Sequence, residues 1–196
     1  MEYHAQLGMG HNYQFVIANE SDVAYAVWKE NDSKLWSLQD VIDSLREGGE
    51  AVKIWMRIVK AGLPSFTKVS RYHNIVPSVL RDELATLISG TTVTPTFKAN
   101  YFALGTGSNT PANIDTSLQT ETLRAAFTDR SSYTNIAYLD VFFPTASVAG
   151  NSYNEAGIFV DGSASVNTGY LLSRVAINQT LGASQTLTVN CSITIS

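Results

Sequence analysis

The chain has 196 residues and a net charge of −4, with no apolar run near the ~18 residues a membrane helix needs, which excludes a basic nucleic-acid footprint and a bilayer span. At 44% hydrophobic and 15% charged it can bury a proper core, so it is not a disordered chain. Its one cysteine, Cys191, excludes an intrachain disulfide and a CxxC metal or redox pair.

The opening MEYHAQLGMGHNYQ lacks a charged n-region and an apolar h-region, so no secretory signal is expected and synthesis in a cytosol is. The lone GxG in Leu7 to Tyr13 reads as an N-terminal arm or a subunit-contacting loop. YQFVIA and VAYAVWKE read as short strands. Leu38, Val41, Ile42 and Leu45 recur at i, i+3, i+4 and i+7, which predicts a short amphipathic helix with Ser37 as N-cap and Gly48-Gly49 as its stop. AVKIWMRIVK alternates Val52, Ile54, Met56 and Ile58 with Lys53 and Arg57, the pattern of a half-buried strand, and FTKVSRYHNIV is its expected antiparallel partner across AGLPS. Pro77 or Ser78 opens a second helix with Leu80, Leu84, Leu87 and Ile88 on one side and Gly90 beyond its end.

SGTTVTP marks a change of chemistry. Up to Gly90 the chain carries 20 of its 30 Asp, Glu, Lys and Arg residues, leaving ten for the remaining 106 positions, where Ser, Thr and Asn number 38. Two segments are therefore expected, 1–90 for docking or oligomerisation and 91–196 as a structural body. In the second, FKANYFALG and NIAYLDVFFP are apolar on both sides and should be central strands. EAGIFV ends in the turn dipeptide Asp161-Gly162, and YLLSRVAI carries Arg174 among apolar neighbours. Leu187, Val189, Cys191, Ile193 and Ile195 alternate with polar residues to the C-terminus, a strand closing a sheet with one face buried. A helix is expected after Asp115 or Thr116, because Thr116 and Gln119 match a capping box. The fold class is mainly β (α+β): a C-terminal β-sandwich or jelly-roll-like domain with one inserted helix, behind a mixed α/β segment with two short helices.

The candidate chemistry is sparse. Gly105 and Gly107 in LGTGSNTPANIDTSLQTE suggest a phosphate loop, but eight residues separate Gly107 from Asp115, and no GK[ST] or third glycine follows. The glycines are read as bending the backbone, with no cofactor. His4, His11 and His73 show no metal-ligand spacing, so no metal is assigned. No G-x-S-x-G occurs, and Cys191 falls on a buried strand face, which leaves no catalytic nucleophile. Asp140 and Glu155 sit in apolar stretches where a carboxylate needs a partner. Arg124 and Arg174 are the cations at hand, and one structural pair, Glu155 with Arg174, is expected to pin a loop to the sheet. A two-carboxylate glycosidase would want sugar-stacking aromatics, and this half has no Trp.

LISG followed by ALGTGSNTPANIDTSLQTETLR, then EAGIF, LLSRV and TLTVNCSITI, in that order across about 110 residues, resembles a module of tailed-bacteriophage structural proteins. The resemblance implies a virion component found with tail-fibre, baseplate or collar proteins, and it carries no catalytic residues. The expected role is an oligomeric adaptor linked to a host-attachment fibre, whose partners are copies of itself and other virion proteins. A capsid decoration protein and a carbohydrate-binding or depolymerising tail module are the alternatives.

Overall fold

The computed structural model describes residues 9–31, 36–74 and 76–195. Two antiparallel sheets pack face to face, and the fold is mainly β of the α+β, sandwich-like kind. The first sheet has the order β2 (Lys68–His73), β1 (Met9–Asn19), β9 (Gln185–Ile195), β6 (Ile136–Phe143), β5 (Asp129–Tyr133). The second has the order β4 (Glu121–Ala126), β3 (Ala99–Gly105), β7 (Ser152–Val160), β8 (Tyr170–Thr180). Tyr13, Phe15, Val141, Phe143, Leu187 and Val189 from the first meet Phe102, Leu104, Ile158 and Val175 from the second in one core. Phe102 lies at its middle, with the rings of Tyr13, Phe15, Phe127 and Phe143 between 6.0 and 6.4 Å away in tilted or edge-on contact.

The composition break at Gly90 does not divide the structure into two bodies. β1 enters between β2 and β9 and pairs with β9 from Met9↔Ile195 to Asn19↔Gln185. Residues Met9 to Tyr13 are thus part of a strand and not an arm, while His4, Leu7 and Gly8 lie outside the described residues.

Among the described residues four helices precede Gly90 where two were expected. α2 (Leu38–Arg46) and α4 (Ser78–Ile88) match the expectation. Ser37 caps α2 in a capping box with Asp40, and Gly48, at φ 74°, takes the left-handed turn beyond its end. VAYAVWKE lies in α1 (Glu20–Glu30), and AVKIWMRIVK in α3 (Glu50–Ala61). Both were read as strands. In α3 Ala51, Val52, Trp55, Met56 and Val59 are buried at the helical period, Ile54 is buried beside them, and the polar set Lys53, Arg57, Lys60 keeps the same period. The alternation at Val52, Ile54 and Met56 arose because this helix is apolar over most of its girth. β2 accordingly pairs with β1, from Asn12↔His73 to Ile17↔Lys68, and not with the α3 segment.

The helix expected after Thr116 does not form. Residues 106–120 run as an irregular loop, and ETLRAA continues as β4. The one helix described after Gly90 is the four-residue α5 (Thr145–Val148). β9 is interior, and its polar face is not simply wet. Thr186 and Thr188 are buried, and the Trp55 indole Nε1–H donates to Thr188 Oγ1 at 2.7 Å.

Candidate functional site

The outer face of the four-stranded sheet gathers Gly105, Gly107, Asp115, Thr116, Glu155 and Arg174, while Asp140, Cys191 and His73 lie in the five-stranded sheet. Gly105 on β3 lies opposite Glu155 on β7, and Ala103, Gly157 and Arg174 form the next transverse row. Glu155, 1% exposed, accepts hydrogen bonds from the backbone N–H groups of Gly107 (3.1 Å), Gln119 (2.9 Å) and Thr120 (2.7 Å). Arg174, also 1% exposed, donates from Nε to Glu155 at 3.0 Å and places Nη1 2.6 Å from Asp115 Oδ2. The remaining guanidinium nitrogen donates to the Asn109 side chain. Asp115 also accepts from the Ala112 N–H at 2.8 Å. Asp115 and Gln119 are therefore engaged in this knot and not in a helix cap, and Thr116 lies exposed in the loop between them.

The glycines give the carboxylate room. A Cβ on Gly107 would stand 2.4 Å from Glu155 Oε1, and one on Gly105 2.6 Å from it and 2.5 Å from the Thr120 carbonyl oxygen. Neither has a left-handed φ, so close approach and not bending explains them. Gly157 leaves space for Leu118, which carries the loop down onto Phe159 and Leu171.

A second pair was not anticipated. Arg124 and Glu121 on β4 bind through both ends, at 2.5 and 2.7 Å, with both side chains buried. The Arg124 guanidinium lies 4.6 Å over the Phe159 ring and donates to the Ser163 and Thr168 carbonyls. It holds the 161–169 loop as Arg174 holds the 106–120 loop. The i, i+3 spacing of Glu121 and Arg124 gave no signal by itself, since on a strand such residues face opposite ways unless the chain departs from regular pleating.

The other outer face carries a groove of about 620 Å³. Along the five-stranded sheet the outward side chains change character at one transverse line. Val69, Val16, Thr188 and Phe142 lie abreast and Val16, Thr188 and Phe142 are buried where α1–α3 cover the sheet. The next row is Arg71, Gln14, Asn190, Asp140 and Asp129, and the one after is His73, Asn12, Ser192, Tyr138 and Ser131. These two rows floor the groove, and Val59 and Lys60 at the end of α3 form its wall.

Lys60 reaches two acids. Its Nζ lies 2.6 Å from Asp129 Oδ2 and 2.7 Å from Asp140 Oδ2, the second contact off the direction of a hydrogen bond. Burial pulls the ammonium down, but the bonds and charges of the two acids outweigh it and raise its pKa. The Lys60 hydrogen bond holds Asp129 below its ordinary value. A depressed carboxyl is the opposite of what a general acid at neutral pH requires, so Asp129 is not set up for that role. Asn190 Nδ2 donates to Asp140 Oδ1 at 2.7 Å, while Asn190 Oδ1 is buried with no hydrogen-bond partner.

Cys191 is 2% exposed, and burial, helped by the Asp140 charge, pushes its thiol pKa well up, away from a reactive thiolate. His73 lines the groove, and among the described residues no group of three His, Cys, Asp or Glu side chains stands together to hold a metal. No described helix is long and apolar enough to cross a membrane. Compared with known proteins, the chain matches no family model, no curated protein and no solved structure.

Proposed function

We propose that the chain is a non-catalytic structural component of a tailed-phage virion, an oligomeric tail, baseplate or collar adaptor linked to a host-attachment fibre. One observation carries this reading. Three of the separated sequence pieces that resemble phage structural proteins, ALGTGSNTPANIDTSLQTETLR, EAGIF and LLSRV, meet at a single node: Gly107, Asp115, Gln119 and Thr120, Glu155, and Arg174. Their polar atoms are satisfied by one another. A segment set whose charges are consumed internally serves as a framework, and its function then lies at surfaces.

Two surface features suit assembly. Leu87 and Ile88 at the end of α4 are 45% and 72% exposed, beside a shallow pocket lined by Val93, Pro95 and Phe97. The low charge after Thr91 keeps desolvation costs small when copies or neighbouring virion proteins meet. Light scattering on the purified chain should give an oligomer, and Leu87→Asp with Ile88→Asp should reduce it to monomer at unchanged thermal stability. Imaging of labelled particles should place it in the tail; a capsid position would favour a decoration protein, and a monomer absent from particles would end the proposal.

A further inference from the structure

We propose that the groove on the five-stranded sheet binds an acidic carbohydrate, with the sugar hydroxyls on its amide and hydroxyl rows and the sugar carboxylate on Arg71. This goes beyond the structural role and does not rest on it.

The sheet itself sets the site apart. Four neighbouring strands change from an apolar or helix-covered row to polar rows at the same transverse line, where α3 ends. Had this face been meant for the helical layer, Gln14, Asn190 and Asp140 would have no place on it. Had it been ordinary wet surface, it would not hold a carboxylate at 3% exposure and a buried, unpartnered amide oxygen. The volume of about 620 Å³ lies within the ~300–1,000 Å³ of ligand sites.

The chemistry of the lining selects the ligand. Asn12, Gln14 and Asn190 offer paired donors and acceptors, and Ser131, Ser192 and Tyr138 offer hydroxyls, at the ~4.8 Å interval between strands. An apolar ligand would strip these groups of water without replacing it. A polyhydroxylated one replaces each bond. The charges give the sign. Asp129 and Asp140 share the one ammonium of Lys60, whereas the Arg71 side chain, on the opposite border of the groove, is exposed and has no hydrogen-bond or ion-pair partner among the described residues. An unmatched guanidinium fork receives a carboxylate through two parallel bonds.

The test uses the full chain and three acidic probes, the trisaccharides of galacturonate and of glucuronate and sialyllactose, each against an uncharged counterpart (the methyl ester, or lactose), by amide-resolved NMR titration at low salt. Binding of at least one acidic probe, with shifts confined to β1, β2, β5, β6, β9 and the end of α3, and at least tenfold weaker binding of its uncharged counterpart, is the expected result. Arg71→Met should lose the same tenfold, and Asn12→Ala with Gln14→Ala should weaken acidic and neutral forms alike. All three residues lie outside the core, so unchanged thermal unfolding of these variants is expected, and Arg71→Lys should recover part of the affinity. No shift with any probe, equal binding of charged and uncharged forms, or full affinity in Arg71→Met would overturn the proposal.

Discussion

The two outer faces of the sandwich handle charge in opposite ways. On the four-stranded sheet, Glu155, Arg174, Glu121 and Arg124 are buried, each bound to its partner and to backbone, and two long loops lie sealed over them. On the five-stranded sheet, helices cover one part and stop, leaving charged and amide side chains at the rim of open space. Identical residue types hold the chain together in one place and face outward in the other. Burial and partner count separate the two, and neither is a property of a residue alone.

The comparison breaks first at Arg174. Arg174→Met leaves Glu155 without its cation in a dry site, and a loss of about 3–5 kcal/mol is expected by urea unfolding. A variant as stable as the parent would mean that the three backbone N–H groups suffice for Glu155, and the knot would cease to be the organising contact. Next comes Gly107→Ala, where a methyl group 2.4 Å from the carboxylate oxygen must displace it, at a cost of about 1–3 kcal/mol. Thr188→Val tests the helix-covered part of the other face. It leaves the Trp55 N–H buried and unpaired, for a loss of about 1–3 kcal/mol with the helices intact by circular dichroism.

The groove should respond least. Asp129→Asn removes an exposed partner of Lys60, so a change under about 1 kcal/mol is expected at neutral pH. The sign with pH follows from the depressed carboxyl. Asp129 favours the folded state above its unfolded pKa, and that contribution fades as pH falls through its lower folded value. Parent and variant should therefore converge in acid, measured by denaturation along a pH series. A variant difference as large as that of Arg174→Met would erase the contrast between the faces.

Strands with one clear period were legible in the sequence. β9 alternates without a break, and its apolar set lies in the core as the period requires, save Ile195 at the sheet's end, which is 47% exposed. α2 was legible because its apolar set keeps one period between a serine cap and two glycines. α1 and α3 were not, because a helix sandwiched between a sheet and other helices is apolar on more than one side. What then betrays the period is the polar residues, Lys53, Arg57 and Lys60, more than the apolar ones. The Thr116 to Gln119 box failed for a different reason. Gln119 N–H found a buried carboxylate 36 positions away, and a local cap cannot outweigh an ionic acceptor in a dry site.

Glu155 with Arg174 could be anticipated from cost alone, since two charges in apolar strands require each other. Glu121 with Arg124, and Lys60 with Asp129 and Asp140, could not, because each depends on where a strand or a helix end comes to rest. The groove belongs to the same class. Its polar residues lie on five strands scattered from Asn12 to Ser192, and no strand taken singly shows which neighbours share its face.

By itself the sequence determined a β-rich body, the strands with unbroken periods, the buried thiol and the need for a partner at Glu155, because these follow from local period and from the cost of burying charge. The tertiary structure alone decided that residues before Gly90 complete the sheet, that the glycines at 105 and 107 make room for a carboxylate, and that polar side chains from five strands line one groove. Register and helix placement set those outcomes, and both arise from contacts between positions more than a hundred residues apart.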